Sequence, residues 1–355
     1  MTEKTMVKGN EAMAEAAIRA GCRLYFGYPI TPQSEFTEYM AKRLPEVGGS
    51  FLQSESEVSA VNMIYGAACT GRRVLTSTSG PGFSLMQEGM SYIAGAELPS
   101  VFVNVVRGGP GLGDIQPAQS DYFQATKGGG HGDYHAVVLG PGTIQEAVEL
   151  ISDAFDIADR YRTPVIVLAD GMLGQMMEPV IFGKYRDPDS LPDHSEWSLT
   201  GAGKREPHKV TSFNIDPYEL EKMNMRYQAK YKEIIKNETR YETIRTEDAD
   251  YLLVGFGTMG RILGSVIRQA REQGIKVGLF RPITLWPFPY DQLKKSAKGK
   301  KYVLDVEMST GQMVEDVRLA VGDSLPVHFY GRTGGVVPNP EEVLQALRKH
   351  IEEAE

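Results

Sequence analysis

Cysteine is almost absent from the sequence: Cys22 and Cys69 are the two in 355 residues, far apart and each alone. Neither a disulfide framework nor a thiolate-ligated metal or iron–sulfur site can be built from them. Any cluster chemistry must sit on another chain, and no metal ligands are assigned to this one. An excess of positive charge is lacking too. The 38 Lys and Arg are outnumbered by 46 Asp and Glu, and the net charge of −8 gives no electrostatic reason to bind nucleic acid or an anionic membrane. No apolar run reaches membrane-spanning length, and the start, Met1-Thr2-Glu3-Lys4-Thr5, has neither a long apolar stretch nor a small-residue cleavage pattern. A cytoplasmic protein without a membrane span is expected. Internal repeats and low-complexity tracts are also missing.

What is present is the composition of an ordinary enzyme, with 41% hydrophobic residues and enough length to bury the cores of two domains. From Met6 to about Met172, helix-like stretches alternate with short apolar runs, the pattern of a parallel sheet with crossover helices. A helix over Asn10 to Ala20 precedes a strand over Leu24 to Tyr28, which breaks at Pro29 and leaves Ile30-Thr31-Pro32 in a loop. A helix at Ser34 to Leu44 and a strand near Phe51 follow. The next helix, Glu57 to Ala68, puts Val58, Val61, Ile64 and Ala68 on one face. After a strand over Val74 to Thr78, Ser79-Gly80-Pro81-Gly82 turns into a helix from Phe83 to Ala94. Val101 to Val106 reads as a strand covered on both faces, with Arg107 at its exit. Gly-rich stretches at 108–113 and 128–130 flank a long polar loop, which marks a functional or mobile segment. A helix from Ile144 to Tyr161 and a strand from Val165 to Asp170 complete this unit.

From about Gly183 to Asp248 proline, charge and aromatic residues take over, including Asp187-Pro188-Asp189 and a helix near Pro217 to Asn237. This reads as an extended linker crossing a surface. A second α/β unit begins at Tyr251, with a helix to Glu272 and further strands at Lys276 to Phe280 and Tyr302 to Glu307. The expected division is 1–182, 183–248 and 249–355.

Two local features could carry chemistry. The Ser79-Gly80-Pro81-Gly82 turn could let backbone N–H groups approach a ligand at a helix start, or it could simply pack helix on strand. Glu57 opens a helix in the run Gln53-Ser54-Glu55-Ser56-Glu57; an acid there ordinarily serves the helix as a cap or dipole partner. In combination they say more. A glutamate, a helix, a strand and a Ser-Gly-Pro-Gly turn in this order resemble the pyrimidine-binding half of thiamine-diphosphate enzymes. Tyr28-Pro29-Ile30-Thr31-Pro32, Gln53 to Glu57 and Ile93-Ala94-Gly95-Ala96-Glu97-Leu98-Pro99 look like the 2-oxoacid:ferredoxin oxidoreductases, with the alpha-type subunit of the 2-oxoisovalerate and 2-oxoglutarate enzymes the nearest match. Phe280 to Pro289, reading Phe-Arg-Pro-Ile-Thr-Leu-Trp-Pro-Phe-Pro, is similar to the carboxy-terminal transketolase-type domain that follows in the same family.

The resemblance implies an α/β protein: a pyrimidine-type thiamine-diphosphate-binding parallel sheet with helices on both faces, followed by a smaller transketolase C-terminal-like domain. It implies CoA-dependent oxidative decarboxylation of a 2-oxoacid with electrons passed to ferredoxin. Glu57 would hydrogen-bond the aminopyrimidine and favour its imino form, with Glu55 as competitor for that role. Pro29, Ile30, Gly80, Pro81 and Gly82 would line the cofactor. Thr31 and Arg107 would grip the substrate carboxylate, a sensible pairing of hydroxyl and guanidinium. Gln119, Asp121 and His131 lie on the loop that varies with substrate in the family. Asp170-Gly171 is preceded by Ala169, and the Gly-Asp-Gly start and Asn–Asn element expected of a diphosphate domain are missing. The thiamine diphosphate would therefore be shared, its diphosphate and Mg²⁺ held by a beta subunit that also carries 4Fe–4S clusters. Gamma and ferredoxin-like delta subunits, ferredoxin and coenzyme A complete the implied partners. The Gly-rich loop with Gln119 and no extra arginine favours an uncharged, branched oxoacid over 2-oxoglutarate. Two other readings stand beside this one: a subunit of a non-oxidative thiamine-dependent decarboxylase or synthase, and a non-catalytic scaffold or regulatory subunit.

Overall fold

The computed structural model describes residues 4–354; the reading of the first three residues lies outside them. In chain order the strands are β1 Thr5–Lys8, β2 Leu24–Gly27, β3 Ser50–Gln53, β4 Val74–Thr78, β5 Ser100–Val106, β6 Val137–Leu139 and β7 Pro164–Asp170. They continue as β8 Met177–Val180, β9 Tyr241–Ile244, β10 Tyr251–Val254, β11 Val277–Pro282, β12 Thr284–Trp286, β13 Tyr302–Glu307 and β14 Val327–Gly331. A seven-stranded sheet runs β12-β6-β7-β5-β4-β2-β3, parallel except for β12. A five-stranded sheet runs β14-β13-β10-β11-β9, parallel except for β9, and β1 pairs with β8 in a small antiparallel ribbon.

The central strands explain themselves. All residues of β5 and β7 are buried, as both faces of a parallel sheet require, and their runs are correspondingly apolar. The helix Ile144–Tyr161 starts where Thr143 accepts the Glu146 N–H and ends at Arg162, whose φ of 47° is left-handed. It buries Ile144, Val148, Ile151 and Phe155 in the first core.

Several expectations are corrected. The helix expected from Phe83 to Ala94 is two, Gly80–Leu85 and Gln87–Gly95, because the chain closes a tight turn from Met86 N–H to Phe83 O. Val58 does not share the buried face of helix Glu57–Ala68; it is 44% exposed, and Glu57, Ala60, Val61, Ile64 and Ala68 are the buried residues. The segment 183–248 does more than cross a surface. Its helix, Pro217–Glu238, sends Tyr227, Tyr231 and Ile234 into the first core, while β9 completes the second sheet. Conversely β12, from the second unit, pairs with β6. The proposed division at residues 182 and 248 is thus crossed by strands in both directions.

A partly buried ion-pair network also ties the helix Ile144–Tyr161 to the second sheet. Arg281 on β11 reaches Glu146 with both Nη atoms at 2.9 and 2.8 Å and Glu242 on β9 with Nε at 2.8 Å. Removing Arg281 leaves two carboxylates, the half-buried Glu146 and the more exposed Glu242, without the cation they share. Arg281→Met is expected to destabilise the protein by about 1.5 kcal/mol, read as a lower urea midpoint; an unchanged midpoint would show that this contact does not hold the two units together.

Candidate active site

β3, β2, β4 and β5 are neighbours in the large sheet and all run parallel, so the loops at their carboxyl ends meet at one edge. Those loops carry Glu57 after β3, Thr31 after β2, the Gly80 turn after β4 and Arg107 after β5. This is where open α/β sheets collect ligands. Sequence segments 23 to 76 residues apart thereby become one site.

Glu57 is 5% exposed, whereas Glu55 is exposed. The capping role that an acid at a helix start ordinarily fills is taken by Ser56, whose Oγ accepts the Ser59 N–H at 3.2 Å. Ser54 steadies the same turn by donating to Ser56 O at 2.8 Å. Glu57 is left free of that duty, and its carboxyl makes no hydrogen bond to a described residue. It lies against Gly82, where a Cβ would come within 2.3 Å of Glu57 Oε1 and equally close to Thr78 Oγ1. The hydroxyls of Thr76, Thr78 and Ser79 are buried and unpaired. Unpaired buried donors beside a bare glycine make a cradle for a polar ring.

Arg107 is 8% exposed and held by backbone: Nη1 donates to Thr31 O and Nη2 to Leu112 O, each at 2.9 Å. Its Nε is buried without a partner. Thr31 is exposed, as is Pro29, with Ile30 half-buried between them. Thr31 and Pro32 open onto a cavity of about 580 Å³ whose apolar lining is Ile115, Pro117, Met172 and Met176. Glu35 stands in the same cavity. Burial pushes its carboxyl up, but its own backbone N–H, Gln175, Lys8 and Asn10 outweigh this and hold it below the usual range.

The remaining candidates are placed differently. Asp121 lies behind the site, its Oδ2 accepting from Asn104 Nδ2 at 2.8 Å; burial raises its pKa against that bond and the nearby charge of Arg107. Gln119 is fully engaged elsewhere, donating to Phe256 O at 2.9 Å and accepting the Met308 N–H at 3.1 Å. His131 is exposed and lines a separate cavity of about 540 Å³ with Tyr65, Tyr92, Tyr134, Phe213 and Tyr227. His135 stacks on Trp286 with ring centroids 4.5 Å apart, and burial lowers its pKa. Asp170 caps its own helix by accepting the N–H groups of Met172 and Leu173 at 2.9 and 3.0 Å. Asn104 was not singled out from the sequence, although a lone asparagine within Val101 to Val106 is a legible signal.

Residues 15–246 match the family described as "Pyruvate flavodoxin/ferredoxin oxidoreductase, thiamine diP-bdg", and residues 249–343 match "Pyruvate:ferredoxin oxidoreductase core domain II". The chain belongs to this thiamine-diphosphate-binding oxidoreductase family. It is 49% identical to the ketoisovalerate oxidoreductase subunit VorB of Methanothermobacter marburgensis, over 97% of each chain. To the 2-oxoglutarate synthase subunit KorA of Methanothermobacter thermautotrophicus it is 36% identical, over 98% of this chain and 99% of the other. Among solved structures it superposes on the 2-oxoglutarate:ferredoxin oxidoreductase of Magnetococcus marinus, determined with 2-oxoglutarate, coenzyme A and succinyl-CoA bound, with a TM-score of 0.86 and 26% identity. It covers 99% of its own length there and 66% of that chain. A split-gene transketolase shares the fold alone, at a TM-score of 0.62 and 15% identity. The expected fold class is borne out, and so is the resemblance to the 2-oxoacid oxidoreductases.

In Gly82→Ala the added methyl meets both Glu57 Oε1 and Thr78 Oγ1, and it should displace the carboxyl, whose chain is the longer and more movable of the two. In the complex assembled with its partner subunits, Glu57→Gln and Gly82→Ala are each expected to slow exchange of the cofactor C2 proton by at least about 100-fold. Glu55→Gln should leave it near wild type. Loss in Glu55→Gln alone, followed by NMR, would move the role to Glu55.

Proposed function

We propose that this chain is the pyrimidine-side subunit of a 2-oxoacid:ferredoxin oxidoreductase acting on a branched-chain 2-oxoacid such as 2-oxoisovalerate, and that its active site is completed by a partner subunit. The observation that carries this reading is the uncapped, buried Glu57 against Gly82, on the same sheet edge as Arg107 and Thr31.

These residues fit thiamine diphosphate. Gly82 lets the Glu57 carboxyl lie against the turn, that carboxyl has no other hydrogen bond, and the hydroxyls of Thr76, Thr78 and Ser79 beside it are unpaired. When bound, the cofactor supplies the carbon nucleophile and the electron sink for loss of CO₂. Glu57 holds a proton against a ring nitrogen of the pyrimidine, an acid–base role for which an enclosed carboxyl is suited. Pro29, Ile30, Gly80 and Pro81 border the ring. Arg107 presents a guanidinium whose orientation is fixed by two backbone carbonyls, so its remaining N–H donors are pre-aimed for a carboxylate. Thr31 adds a hydroxyl beside it.

The cavity next to Thr31 supports an uncharged, branched substrate. Ile115, Pro117, Met172 and Met176 suit an aliphatic side chain, and the stabilised negative charge of Glu35 opposes a second carboxylate. Because Asp170 is occupied with its own helix, the diphosphate and Mg²⁺ are assigned to a beta-type partner. That partner would also hold the 4Fe–4S clusters that pass electrons to ferredoxin, with gamma and delta subunits completing the assembly and coenzyme A taking the acyl group. Among the described residues no helix is long and apolar enough to cross a membrane, in keeping with a cytoplasmic enzyme.

In the assembled complex, with viologen as acceptor, kcat/KM for 2-oxoisovalerate should exceed that for 2-oxoglutarate by about tenfold or more, the equivalent of about 1.4 kcal/mol. The reverse order would overturn the substrate assignment. Arg107→Lys, which loses the planar fork, should raise the KM for the oxoacid about tenfold; an unchanged KM would remove Arg107 from the grip.

A further inference from the structure

Asn104 interrupts an apolar strand and is fully buried. Its Oδ1 accepts the Gly80 N–H at 3.2 Å, and its Nδ2 donates to Asp121 Oδ2 at 2.8 Å. The direction of this chain is set by Asp121. An ionised carboxylate only accepts, so the asparagine must turn its NH₂ toward it and its oxygen toward Gly80; a reversed amide would set donor against donor. Gly80 has a φ of 33°, a left-handed value that glycine adopts readily, and a Cβ there would lie 3.6 Å from Arg107 Cγ. The turn that Asn104 holds is therefore packed against the stem of the guanidinium on one side and continues directly into Gly82 on the other.

Asp121 is in turn fixed from the second unit. Gln312 brackets it, with Nε2 donating to Ser120 O at 2.7 Å and Oε1 accepting the Phe123 N–H at 2.8 Å. The residues on either side repeat the attachment: Gln119 bonds to Met308 and Phe256, and Tyr122 donates to Asp316 at 2.7 Å.

We propose that Asn104 and Asp121 are positioning residues, pinned from the second unit by Gln312, that set the Gly80 turn and through it the stem of Arg107. Neither touches substrate. Asp121, on the loop where a substrate contact was expected, acts from behind. This inference rests on the reading of Arg107 as the carboxylate grip, and two independent readouts separate their fates.

The test uses the complex assembled with its partner subunits. Asn104→Ala is expected to speed amide hydrogen exchange at Gly80, measured on the 78–84 segment, by about tenfold. It should also raise the KM for 2-oxoisovalerate about tenfold with kcat within about twofold, the pattern of a lost binding orientation. Asp121→Asn and Gln312→Ala should shift both quantities in the same direction by smaller factors. A merely structural role would lower stability or assembly without moving exchange at Gly80 or separating KM from kcat. If Asn104→Ala fails to assemble, Asp121→Asn and Gln312→Ala carry the same readouts. Unchanged exchange and unchanged KM in the variants that assemble overturn the proposal. If Arg107→Lys leaves KM unchanged while Asn104→Ala still speeds exchange at Gly80, the grip reading falls and the positioning of the turn stands. If Arg107→Lys raises KM and the Asn104, Asp121 and Gln312 variants do not, the positioning falls alone.

Discussion

Glu57 can lie where it does because position 82 has no side chain. A methyl group there would come within 2.3 Å of the carboxyl oxygen, so the bare glycine, rather than any attractive partner, defines the space that the acid occupies. The surrounding turn keeps that space from filling. Ser56 takes over the helix cap, Ser54 braces Ser56, and Val74 to Thr78 stay buried so that the Gly80 turn leaves the sheet at a fixed height. A carboxyl relieved of capping and denied a local hydrogen bond retains its donor or acceptor capacity for something outside the chain.

The second unit has a part in this that its fold alone would not suggest. In its sheet the strand order reverses between β10 and β13, and the crevice outside their carboxyl ends is where such sheets ordinarily bind a ligand. Here the crevice is filled by Gln119 of the first unit, bonded to Phe256 after β10 and to Met308 after β13. The neighbouring helix start, Met313–Val321, is likewise closed, because Glu307 accepts the N–H groups of Gln312, Met313 and Val314. A ligand-binding architecture has become a mounting point for a loop. Together with Arg281 and the exchange of β9 and β12 between sheets, this makes the two units one mechanical body.

How much of this could be read from the sequence follows from how local each feature is. The loops at strand ends announce themselves, since Pro29, Pro32, Gly80, Pro81 and Gly82 impose backbone constraints visible in short windows, and the helix Glu57–Ala68 and strand β4 fall where periodicity puts them. Features that depend on partners distant in sequence were hidden. The three-residue strand β12 exists because it pairs with β6 across 145 residues, and β6 because it is held between β12 and β7, not because Val137-Val138-Leu139 is long enough to declare itself. Gln119 was read as facing substrate because its loop was; only the position of Met308 and Phe256 reveals that its amide is taken. Val58 was counted as core on helical spacing, yet the helix is rotated so that Glu57 is the residue turned inward. That rotation is the functional departure, since apolar patterning alone would have favoured the opposite choice.

The edge that holds Glu57 is also unusually apolar on its outside. Leu52 and Val58 are each 44% exposed, Leu85 is 50% exposed, Ile115 55% and Leu112 82%, and all five lie in the segments that follow or end β3, β4 and β5. Single exposed apolar residues need no explanation, but several in the segments that carry Glu57, the Gly80 turn and Arg107 favour coverage by another surface. Under the proposed function, coverage by the partner subunit would complete the removal of water from Glu57 and Arg107, and the same closing would strengthen their electrostatic contacts with cofactor and substrate. Under the same proposal, a site divided between chains would also be a safeguard, because Glu57 and Arg107, already mostly buried here, would lose their remaining contact with water only on assembly.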